Sequence, residues 1–186
     1  MSATLRPSEP ASENPLWAKL STDPLGDPSA PAFTARLARA NGWRRDHAAR
    51  VADEYRRFLF LAATAGITVT PSDPVDQAWH LHLADTHDYW ERVCPELLGI
   101  RLHHRPSSGG EAERHRHFEQ YAATLAAYEA AFGTPPPADV WPAARHMLSA
   151  PARWQRVDRA RVFIIPKLPA AILAAGLLAG VLAFVT

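Results

Sequence analysis

The sequence predicts an all-α protein: a small bundle of about five helices followed by one C-terminal transmembrane helix. Three observations predict it. Apolar residues recur at intervals of three and four, as in Phe118, Tyr121, Leu125, Tyr128 and Phe132, which places them on one helical face. Seventeen prolines gather near the start, at 71–74, around 135–142 and before the C-terminal run, so they punctuate helix-length segments. Residues 168–186 are apolar or small throughout and carry no charge. At about 1.5 Å per residue such a run nearly covers a hydrocarbon core of about 30 Å.

Residues 1–30 are rich in Pro, Ser, Asp and Ala and are expected to be disordered, with Leu16, Trp17 and Leu20 forming at most one docking turn. The helical domain is placed at 31–145. Phe33, Leu37 and Ala40 begin it, and Asn41-Gly42 stops the first helix. Over 46–65, Val51, Tyr55, Phe58, Leu59 and Ala62 make an apolar face; Arg44, Arg45, Arg50, Arg56 and Arg57 read as its solvated flank. Ile67-Thr68-Val69-Thr70 alternates but runs into Pro71, so it is read as a connector.

The most informative stretch follows. Residues 71–90 hold two Trp, three His and four Asp. Asp73 reads as an N-cap and Pro74 as the first helical position, with Asp76 in the first turn reaching back to the cap. At about 100° per residue, Val75, Trp79, His82 and Leu83 share a core-facing stripe, while Asp76 and His80 share its edge. His80 and His82 then lie about 200° apart and cannot serve one ion on a regular helix. Tyr89, Trp90, Val93 and Leu97 predict a second short helix, interrupted at Pro95 and closed by Gly99. His103-His104 is extended, 111–132 is the longest helix of the domain, and Trp141 reads as a plug.

Residues 146–167 form a basic linker, with Arg153, Arg156, Arg159, Arg161 and Lys167 before the apolar run. Such charge favours a cytoplasmic location for that side and suits anionic headgroups. Gly176 and Gly180 form a G-x-x-x-G, the spacing that permits a membrane homodimer. Net charge is +1, which gives no general case for nucleic acid as a partner. Cys94 is the only cysteine, so no intrachain disulfide is available. The start lacks a basic segment followed by an apolar one, so no secretory signal is expected.

Asp76, His80, His82, Cys94, His103 and His104 form the pool of candidate metal ligands, since zinc and other divalent metals combine imidazole with carboxylate or thiolate. The competing reading is a buried, hydrogen-bonded histidine network without an ion. No residue stands out as catalytic, and Cys94 reads as a buried thiol.

The ordered string Val75-Asp76-x-x-Trp79-His80-x-His82, Asp85-Thr86-x-x-Tyr89, Cys94, Gly99, His103-His104-x-Pro106 and Pro137-Ala138-Asp139-Val140-Trp141-Pro142 resembles the glycine-rich domain-containing protein-like family over about 33–142. The resemblance implies a helical domain with no established reaction, in some bacterial relatives followed by a membrane segment. The glycine-rich tail that names the family is missing here. The expected function is therefore a membrane-anchored cytoplasmic interaction or sensing module with a histidine-centred polar core. The alternative is a metal-dependent hydrolase using His80, His82 and His104.

Overall fold

The computed structural model describes residues 10–27, 29–104 and 110–145. The chain divides after Ala150, and all described residues belong to the first part. They form a 3₁₀ turn (Ala11–Glu13), five α-helices and one π-helix, with no strand among the described residues. The α-helices are α1 (Pro15–Leu20), α2 (Phe33–Asn41), α3 (Arg45–Thr64), α4 (Asp73–Leu83) and α5 (Glu111–Phe132); the π-helix covers Asp88–Leu98. The all-α expectation is met. Among the described residues no helix is long and apolar enough to cross a membrane. The expected linker and span, 146–186, lie outside the described residues, Gly176 and Gly180 included.

The long helix α3 is the hub. Its twenty residues contain no Gly or Pro, so nothing interrupts its hydrogen-bond ladder. It touches α1, α2, α4, α5 and the π-helix. Val51, Ala52, Tyr55, Phe58 and Leu59 are wholly buried along it. From α5, Tyr121 and Tyr128 close the core, and Trp141 plugs it from beyond the helix end. The connector at 67–70 is extended, and the Thr70 N–H donates to Thr124 Oγ1 on α5 (2.9 Å).

Three features differ from expectation. The N-terminal segment from Pro10 onward is folded rather than disordered. Asn14 caps α1 by accepting from the Leu16 N–H (2.9 Å), and Trp17 packs edge-on against Phe60 and Phe132. Leu20 and Leu25 are core residues. Helix α4 starts one residue earlier than predicted, because the Ser72 hydroxyl, not Asp73, caps it by accepting from the Val75 N–H. Asp76 does not reach back to cap the helix; its carboxylate faces His80 and His104 instead. Finally, Pro95 does not break the second helix. The chain widens to π-helical winding and runs through Pro95 to Gly99, because a wider turn moves the preceding carbonyls away from the pyrrolidine ring. The left-handed Gly99 (φ 68°) ends it, its N–H donating to the Cys94 carbonyl.

Candidate functional site

Helix α4 carries two histidine centres on opposite sides, as its regular winding requires. His82 points inward and is completely buried. Its Nδ1 lies 3.0 Å from the Tyr55 hydroxyl and its Nε2 lies 2.7 Å from Asp88 Oδ2. Burial, followed by the nearby Tyr89, Cys94 and Asp88, pushes the Tyr55 hydroxyl far above its ordinary range, so it stays a donor. Nδ1 therefore accepts from Tyr55, and Nε2 carries the proton that it donates to Asp88. The rings of Phe33, Tyr55 and Tyr89 enclose this imidazole at 5.2–5.8 Å between centroids.

Asp88 continues the chain outward. It accepts from Arg92 Nε at Oδ1 (2.5 Å) and from the Gly26 N–H at Oδ2 (2.9 Å). Burial alone would raise its carboxyl, but the hydrogen bonds from His82, Arg92 and the Gly26 amide outweigh it and hold the group well below the usual carboxylate range. Arg92 also clasps Asp23, with Nη1 2.6 Å from Oδ2 and Nη2 3.1 Å from Oδ1. These bonds, to Asp23 first and Asp88 second, push its guanidinium further up. Arg56 donates to the Asp23 carbonyl from Nε (3.0 Å) and Nη2 (2.7 Å). A polar chain thus ties α3, α4 and the π-helix to the N-terminal segment around Leu25 and Gly26, both of which have positive φ.

The second centre lies on the solvent side. His104 Nε2 is 2.9 Å from Asp76 Oδ1, and His80 Nδ1 is 3.2 Å from Asp76 Oδ2 and 2.8 Å from the Asp76 carbonyl. The two imidazoles sit 4.4 Å apart. The donor atoms of Asp76, His80 and His104 all lie within 4.8 Å of one another. Trp79 forms the inner wall, edge-on to His104 at 4.7 Å. Its Nε1 donates to the Tyr89 hydroxyl (2.8 Å), which donates to the Leu102 carbonyl (2.7 Å). That chain fixes the extended piece two residues before His104.

Of the six candidate ligands the structure brings together Asp76, His80 and His104. His82 belongs to the buried chain. Cys94 is buried beside Tyr89 and Tyr55. His103 turns to Trp90 (5.1 Å) instead. Sequence reasoning missed Tyr55, Asp88, Arg92 and Asp23. The available signal was that a buried imidazole needs a partner at each nitrogen. A third polar cluster was missed as well: Glu54, only 2% exposed, accepts from Trp141 Nε1 (2.8 Å) and Tyr128 (3.3 Å) and pairs with Arg57.

Fold and site together define an all-helical domain with a buried tyrosine–histidine–aspartate chain and a solvent-facing aspartate–histidine triad. No profile of a known family, no curated protein and no solved structure matches the chain.

Proposed function

We propose that this chain is a single-pass membrane protein whose helical domain faces the cytoplasm and acts as an interaction or sensing module, not as an enzyme. The observation that carries the module reading is the engagement of both His82 nitrogens in a buried chain that reaches the N-terminal segment. The side chains most suited to catalysis, His82, Tyr55, Asp88 and Cys94, are buried and held by one another or by the core. A general base must reach a substrate proton, whereas here these groups fix the fold. The solvent-facing triad that Asp76 and His80 of this helix form with His104 is the part left open to a ligand.

Three further elements belong to the reading. The uncharged run 168–186 and its basic flank support the anchor, and Gly176 with Gly180 supports a homodimer within the bilayer. The motif string supports kinship with the glycine-rich domain-containing protein-like family. A hydrolase built on His80, His82 and His104 is less favoured, because His82 faces away from the other two. Nucleic-acid binding is less favoured too, since Arg56 and Arg57 are turned to Asp23, Glu54 and Tyr128.

The test is fractionation of the full chain beside a chain cut after Arg161. The full chain should stay with membranes through high salt and carbonate, and the shortened chain should leave them. Release of the full chain by carbonate would overturn the anchor. Turnover of any substrate by the membrane-bound chain that vanishes in His80→Ala would overturn the non-enzymatic assignment.

A further inference from the structure

We infer that Asp76, His80 and His104 form a binding site for one divalent transition ion of the zinc class. The inference rests on the preceding reading only in taking this triad as the ligand-facing part of the domain. Two imidazoles and one carboxylate are a borderline nitrogen–oxygen set, which suits Zn²⁺ or Co²⁺ and not the all-oxygen preference of Ca²⁺ and Mg²⁺.

Spacing supports it. With bonds of about 2.0–2.1 Å, neighbouring donors in a tetrahedral zinc site sit roughly 3.3 Å apart. The two aspartate–histidine separations, 2.9 and 3.2 Å, are already close to that. These separations run to different carboxylate oxygens, and with one donor atom from each residue the three lie within 4.8 Å of one another, so the set needs to contract to take an ion. The carboxylate divides its oxygens, Oδ1 toward His104 and Oδ2 toward His80, so it stands between the rings.

The surroundings hold the ligands in place before an ion arrives. Asp76 and His80 are four apart on α4, one turn of a helix capped by Ser72. His104 comes from the extended piece that Tyr89 pins at the Leu102 carbonyl. Trp79 covers the inner side and leaves approach from solvent, where the His80 side chain is 52% exposed. Three protein donors leave a fourth position for water or for a group on a partner. A site so assembled would link α4 to the 99–104 segment, which suits a sensing role.

The experiment uses the full chain in detergent micelles, stripped of metal and titrated with Co²⁺, with visible absorption as the readout and Zn²⁺ added afterwards. One equivalent of Co²⁺ should develop ligand-field bands, and Zn²⁺ should abolish them. His80→Ala and His104→Ala should each weaken uptake by more than the roughly 10–100-fold that loss of an outer-shell partner costs. His103→Ala, one residue away and turned to Trp90, should bind as the wild type does. His80→Ala keeps the test interpretable, because that side chain is half exposed and bonds only within its own helix turn; circular dichroism confirms its fold. Absence of stoichiometric uptake by the wild type would overturn the site, and the triad would be a hydrogen-bonded cluster only. Uptake that survives both alanine variants, or that falls equally in His103→Ala, would also overturn it. Neither result bears on the membrane anchor, which fractionation decides separately.

Discussion

Replacing His82 with alanine should be among the most damaging single changes in the domain. The ring is wholly buried and bridges Tyr55 at 3.0 Å and Asp88 at 2.7 Å. Its loss strands the Tyr55 hydroxyl in the core, at a cost of about 1–3 kcal/mol, and removes a hydrogen bond to a charged acceptor worth about 1.5–3 kcal/mol. The void between Phe33, Tyr55 and Tyr89 adds to this, by an amount set by how far the rings relax. Asp88 keeps Arg92 and Gly26, so the carboxylate itself is not abandoned. The two hydrogen-bond contributions alone total about 2.5–6 kcal/mol, a large part of the stability of an ordinary domain. A double-mutant cycle with Tyr55→Phe separates the terms. In the Tyr55→Phe background there is no hydroxyl left to strand, so His82→Ala should cost about 1–3 kcal/mol less. Residues 1–150 are the natural fragment for this, since they form a unit of their own. Urea unfolding followed by tryptophan fluorescence gives each free energy. Additivity within about 0.5 kcal/mol would refute the shared chain of hydrogen bonds and leave His82 as a space-filling ring.

Two other outcomes follow from the same network. The Asp88 carboxyl titrates below its ordinary value of 3.8 in the folded state, so it adds stability that is whole above that pH and is lost as pH falls further. The melting temperature should therefore drop more steeply below about pH 4 in the wild type than in Asp88→Asn, and parallel curves would contradict the assignment. Gly26→Ala should cost more than Gly42→Ala, by about 1–3 kcal/mol for the displaced neighbour. Both sites have positive φ, but a Cβ on Gly26 meets the Arg36 guanidinium and Asp85 Oδ2 while one on Gly42 meets nothing; equal costs in urea unfolding would show that the Arg36–Asp85 pair does not confine this loop.

The helices were legible where their information is local. Apolar periodicity marked α3 and α5, and Gly42, Gly99 and Gly133 mark their neighbours' ends and their own with left-handed backbones. The N-terminal segment was misread because its order comes from far away. Gly26 is held by Asp88 sixty-two residues on, and Asp23 by Arg92 sixty-nine residues on. No local pattern carries such partners, and a composition rich in Pro and Ser argues the other way. Pro95 misled for a related reason: it forbids α-winding locally, yet packing of Tyr89, Val93, Cys94 and Leu98 into the core keeps the chain helical by widening it. In the site, the opposite facing of His80 and His82 followed from helix geometry alone. The choice of His104 over His103 did not, because it depends on how an extended piece crosses α4.

That single step along α4, from His80 to His82, separates exposed chemistry from buried structure, and Trp79 is what joins them. Its ring packs on His104 outside and on Phe58 inside, while its Nε1 bonds the same Tyr89 whose ring lies against His82. A change of place by His104 bears on Trp79, whose ring it meets edge-on, and Trp79 is held in turn by Tyr89 and Phe58. Close-packed interiors transmit such strain instead of absorbing it. Beyond Tyr89 the contacts run on through His82 and Asp88 to the amide of Gly26.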